Sequence, residues 1–81
     1  MSIIEDRARH YGPGDANLSR IAAMWSGYLG LRNPPLTAHD VCWMMTLVKA
    51  SRARQDGGQH LDNFVDAHGY ITLAEQFRDL R

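Results

Sequence analysis

Two aspartates, Asp62 and Asp66, stand four residues apart in the segment Leu61-Asp62-Asn63-Phe64-Val65-Asp66-Ala67-His68-Gly69-Tyr70. Residues at that spacing are neighbours on one face of a helix. Both carboxylates therefore project from one stripe, flanked by Phe64, Val65 and Ile71. Carboxylates on a half-buried stripe are costly unless a cation, a metal or hydrogen-bond donors meet them. Mg2+ is one candidate, because it takes oxygen ligands and is commonly held by one or two carboxylates plus substrate phosphates. The alternatives are pairing with Lys49, Arg52 or Arg54, or simple exposure to solvent.

Lys49 and Arg52, three apart at the polar end of an otherwise apolar run, are the matching cations. An ammonium point charge and a guanidinium fork together grip phosphate. The same residues are also favoured at a helix C-terminus by the macrodipole. A third element is Tyr11-Gly12-Pro13-Gly14-Asp15, read as a turn feeding a helix N-terminus, where backbone amides accommodate anions. It lacks the G-x-x-x-x-G-K-[ST] pattern of a P-loop. Gly69 falls inside a helical pattern, where glycine costs about 1 kcal/mol relative to alanine. It is read as a point of close helix approach, with room for a ligand beside Tyr70 as the alternative. His10, His39, His60 and His68 show no spacing that would converge on a transition metal, and the single Cys42 excludes an intramolecular disulfide.

The elements that must position these groups are all helical. Ser2 and Glu5 form a capping-box pattern for a short first helix ending near His10. After the glycine-proline turn, Asp15 or Asn17 caps a second helix carrying Leu18, Ile21, Ala22, Trp25, Tyr28 and Leu29 at helical spacing. Gly30 suits its C-terminus, and Asn33-Pro34-Pro35 forbids continuation. Thr37 and Asp40 start a third helix, residues 38–53. Its run of Val41, Cys42, Trp43, Met44, Met45, Leu47 and Val48 is apolar on nearly all sides, which predicts the central, most buried helix. A fourth helix runs from Leu61 to Leu80, with Phe64, Val65, His68, Ile71, Ala74 and Phe77 as inward positions. No segment reads as a strand. The predicted fold is all-α: one domain over residues 1–81, a compact antiparallel bundle of about four helices with the third central.

Nine Lys and Arg balance nine Asp and Glu, so the net charge is zero, which argues against nucleic-acid binding. Neither a signal peptide nor a membrane-length apolar run is present, giving the expectation of a soluble, cytoplasmic protein without membrane contact. Hydrophobic residues make up 44% of 81 residues, and no disulfide or zinc staples the small core. Self-association is the expected remedy, most simply a symmetric homodimer.

In order, the motifs are Tyr11-Gly12, then Asn17-Leu18-Ser19-Arg20-Ile21-Ala22-Ala23-Met24-Trp25-Ser26-Gly27-Tyr28-Leu29, then Asp40-Val41 through Lys49 and Arg52, then His60 to Tyr70. This set resembles a family of small tailed-phage proteins of unknown function. It is also similar to phage nucleotide-modification-associated domains and, more distantly, to the all-α, MazG-like NTP pyrophosphohydrolases. Those hydrolases hold Mg2+ between an E-x-x-E pair on one helix and an E-x-x-D pair on the next. Asp62 and Asp66 correspond to the second pair at altered spacing. Where the first would lie, the third helix offers Asp40 and otherwise Trp43, Met44 and Leu47.

The resemblance implies a phage-encoded accessory protein in the host cytoplasm that binds a nucleotide or nucleoside phosphate. Tyr11, Gly12, Lys49, Arg52, Asn63 and Tyr70 would contact the ligand, Asp62 and Asp66 would hold Mg2+ if a metal takes part, and Tyr70 or Trp25 would stack on the base. The competing expectation is a non-enzymatic interaction protein that binds a host protein and redirects or inhibits it, the polar stripe serving only the fold.

Overall fold

The computed structural model describes the backbone of residues 3–80 and the side chains of residues 16–79. It contains three helices, α1 (Ile3–Leu29), α2 (Ala38–Gln55) and α3 (Leu61–Gln76), followed by a single 3-10 turn, Arg78–Leu80. No strand occurs among the described residues, as the sequence pattern predicts. The helix count is a correction. The two short helices expected before residue 30 are one element, because α1 runs without a break through Gly12-Pro13-Gly14. Proline fixes φ near its helical value, so its ring costs a hydrogen bond without forbidding the path.

Thr37 sets the start of α2. Its hydroxyl accepts the Asp40 amide at 3.3 Å, while the Asp40 carboxylate accepts the Thr37 amide at 2.9 Å. This reciprocal capping box satisfies two of the amide groups that a helix start leaves without partners. The loop before it is pinned by Ser26, a buried residue of α1. Its Oγ accepts the Leu36 amide at 2.8 Å, and its carbonyl accepts the Leu31 amide at 2.9 Å.

α2 is the central element, packing against both α1 and α3. The buried core is small: Leu18 and Ala22 from α1, Ala38, Val41 and Cys42 from α2, then Ala74 and Phe77. Ile21, Trp25, Leu36, Met45 and Leu73 pack around it. Cys42 is an interior residue, and burial pushes its thiol up to about 11. The expectation that α2 is buried on nearly all sides does not hold. Trp43 is 47% exposed and Leu47 69%. The same is true of α3, where Phe64, Val65, His68 and Ile71 are exposed rather than inward.

The physical reason lies in the shape. Two neighbours cover only part of a helix's circumference, and the molecule is a slab of 43 × 36 × 17 Å. Its radius of gyration is 14.2 Å, against about 12 Å for a compact domain of this length. Much apolar surface therefore stays uncovered in the single chain.

Candidate functional site

α2 and α3 are antiparallel, joined by the short segment Asp56 to His60, and this brings Lys49 opposite Asp66. The Lys49 ammonium lies 3.1 Å from the Asp66 carboxylate. The lysine side chain is 13% exposed, while the aspartate is 47% exposed and faces water on its other side. Asp62 lies one turn before Asp66 at the start of α3, exposed, where the positive end of the helix dipole favours a carboxylate.

Alongside the pair is an open depression of about 680 Å3, lined among the described residues by Val65, Asp66, Gly69, Tyr70, Thr72 and Leu73. Gly69 shapes it. A Cβ built on Gly69 meets nothing within 4 Å. The expected close approach of another helix at this glycine is thus not what the structure holds; the residue leaves space beside the half-buried Tyr70.

At the α2–α3 junction, a second polar cluster is closed on itself. Asp56 accepts hydrogen bonds from the Gly58 amide at 2.9 Å, from His60 Nδ1 at 2.7 Å and from Asn63 Nδ2 at 3.3 Å. Gly58 has φ +79°, a left-handed conformation that glycine adopts without strain, and the Phe64 ring packs 3.6 Å from where its Cβ would be. The hydrogen bond from His60 is the main cause holding the Asp56 carboxyl below its ordinary range; the Gly58 and Gln59 amides add to it, and partial burial opposes. Asn63 is therefore engaged in the turn rather than presented to a ligand.

A third cluster links α2 to α3 at the opposite end. His39 Nδ1 lies 2.8 Å from the Ala74 carbonyl, and the Trp43 indole N–H donates to His39 Nε2 at 3.0 Å. A carbonyl on one nitrogen and a donor on the other fix the neutral Nδ1–H tautomer. Asp40 is occupied as well, since its Oδ2 takes both the amide and, at 3.2 Å, the hydroxyl of Thr37. It is not free to complete a metal cradle with Asp62 and Asp66.

Of the residues singled out in the sequence, the structure brings together Lys49, Asp66 and Tyr70, with Asp62 one turn away. Arg52 lies exposed at the end of α2, and Trp25 packs against the core instead of lining the depression. Tyr11 and Gly12 fall in the part of α1 whose side chains lie outside the described residues, and they are in a helix rather than a turn. Among the described residues no group of three or more His, Cys, Asp and Glu side chains is placed to hold a metal ion. No helix among them is long and apolar enough to cross a membrane. Sequence reasoning missed Asp56. Its signal was Asp-Gly-Gly before a histidine, a side chain able to cap its own turn.

Fold and site together define a small all-helical protein with an open depression along α3, beside the Lys49–Asp66 pair. The chain belongs to the family described as Domain of unknown function (DUF6378), whose pattern matches residues 1–78. It is 38% identical over 72 residues to the Gene 55 protein of Mycobacterium phage L5, covering 89% of this chain and 44% of that protein. It is 34% identical over 71 residues to the Gene 55 protein of Mycobacterium phage D29, covering 88% and 44%. The chain thus spans less than half the length of these phage relatives. No solved structure matches it.

Proposed function

We propose that this phage protein binds a nucleoside phosphate in the depression beside α3, with Lys49 as the phosphate partner. The observation that carries the reading is the placement of Lys49. Its side chain is largely covered, and its ammonium is tied to a half-exposed aspartate at the rim of an open depression that Tyr70 lines. With the aspartate half-exposed, water screens the pair and its contribution to stability is modest, which leaves Lys49 suited to meeting an anion. Tyr70 offers an aromatic face for a base, and Gly69 supplies the room. Asp62 and Asp66 provide two of the oxygens that Mg2+ needs, the rest coming from phosphate and water. Hydrolysis is not part of the proposal, because α2 lacks a free carboxylate pair.

Calorimetric titration of the whole chain with dATP and dAMP, with and without Mg2+, tests this. Binding is expected, weakened at least tenfold by Lys49→Met, with the Mg2+ dependence removed by Asp66→Asn. Absence of binding, or equal affinity for Lys49→Met, would overturn it. A second reading, an interaction protein without ligand chemistry, draws on the exposed apolar surface of α2 and α3. It gives no nucleotide binding in any of these titrations.

A further inference from the structure

On the flank of the α2–α3 hairpin away from the Lys49–Asp66 pair, each helix carries a stripe with the same spacing. On α2 the positions are Trp43, Leu47, Ala50 and Arg54; on α3 they are Phe64, His68, Ile71 and Glu75. Both run i, i+4, i+7, i+11, the alternating four-three spacing of residues that face another helix. All eight are exposed. The Trp43–His39–Ala74 chain of hydrogen bonds places the α2 stripe on the side of α2 next to α3. Leu73 and Asp66, on the opposite side of α3 from Ile71 and Phe64, are taken by the core and by Lys49. The two stripes therefore flank one shallow seam.

We infer that this seam is the docking surface for a second copy of the chain, the two α2–α3 hairpins packing antiparallel across a two-fold axis into a four-helix arrangement. Charge selects the partner and its direction. Each stripe ends in a charge, Arg54 beside the turn and Glu75 at the open end of the hairpin; the α2 stripe is otherwise apolar, and the α3 stripe carries His68 between Phe64 and Ile71. Neither residue joins an ion pair among the described residues. A two-fold antiparallel copy sets Arg54 of one chain against Glu75 of the other, twice, whereas a parallel copy would set like charges together. Exposed apolar side chains form the middle of the patch. Trp43 and Phe64, each nearly half exposed, alone leave on the order of 200 Å2 uncovered, given the 150–250 Å2 an aromatic side chain presents. Leu47 at 69% and Ile71 at 40% extend the patch. Covering it would also remedy the slab's small core.

Sedimentation velocity of the whole chain over a micromolar range is the test. The expected mass is twice 9.2 kDa. Leu47→Arg, at an exposed position outside the core, should give a monomer with unchanged helical circular dichroism. Arg54→Glu and Glu75→Arg should each weaken the dimer about tenfold, and the two together should restore it. A monomer at every concentration, a dimer indifferent to Leu47→Arg, or a double charge variant as weak as the single ones would each overturn the inference.

Discussion

Asp56 and Asp66 differ in what surrounds the same carboxyl group. Asp56 accepts from the Gly58 amide, the His60 ring and the Asn63 side chain, all within the α2–α3 junction. Asp66 meets the Lys49 ammonium and leaves the rest of its surface to water beside the depression. The first holds the angle at which α2 hands the chain to α3. The second is spare in the folding sense: the helices would pack without it, since Ala74, Phe77 and Cys42 form their contact. A carboxylate surrounded by local donors reads as a structural part; under the proposed function, the one facing Lys49 across an open rim is a binding part. Variants that separate stability from binding put this contrast to the test.

The largest effect on stability should follow Asp56→Ala. It removes the acceptor for three donors at once, including the Gly58 amide in a half-buried position, and an unpaired amide carries its own desolvation cost. Thermal unfolding should show the biggest drop in Tm among these variants, several degrees, with nucleotide affinity unchanged. Asp56→Asn keeps an oxygen for Gly58 and should fall between Asp56→Ala and the parent. An Asp56→Ala protein as stable as the parent would remove the distinction between the two carboxylates.

Acid unfolding should show the next effect. The folded-state Asp56 carboxyl titrates below its ordinary value, chiefly through the His60 hydrogen bond. The unfolded chain therefore binds its proton first as pH falls. The stabilisation is complete above the unfolded value of about 3.9 and is lost as pH drops through the lower folded value. Asp56→Asn should flatten the stability curve in that acid window while leaving its shape near neutrality.

The contrast also marks where sequence reasoning reached and where it stopped. The Thr37–Asp40 start, the all-helical class and the central place of α2 were legible, because capping and apolar spacing act locally. The helix count was not, since turn chemistry at Gly12-Pro13-Gly14 is a preference that a continuous helix can override. Nor was the exposure of Trp43, Leu47, Phe64 and Ile71, because an apolar stripe says that a face is to be covered without saying by which chain. The nearness of Lys49 to Asp66 followed from antiparallel pairing and could be anticipated. Asp56 could not be weighed against Asp66 from residue type alone, since both are acids beside helices and their neighbours decide their roles.

Gly69→Ala sharpens the contrast from the side of the depression. The added methyl meets nothing within 4 Å, so the change should stabilise α3 by about 1 kcal/mol through helix propensity. It also narrows the space beside Tyr70. A higher Tm together with weaker dATP binding is the expected pair of results. A higher Tm with unchanged binding would place the ligand elsewhere.

The smallest change in stability should come from Asp66→Asn. Ion pairs that break inside a protein cost several kcal/mol because a charge is left without water or partner. Here the aspartate side is 47% exposed, and water screens what the pair contributes, so the expected loss is roughly 0–1 kcal/mol. Asparagine also keeps an oxygen that can accept a hydrogen bond from Lys49. Chemical denaturation should therefore show almost no shift in midpoint, while titration with dATP loses its dependence on Mg2+. A loss of stability comparable to that of Asp56→Ala would mean that the Lys49–Asp66 pair is itself a structural part. The two carboxylates would then differ in position but not in role.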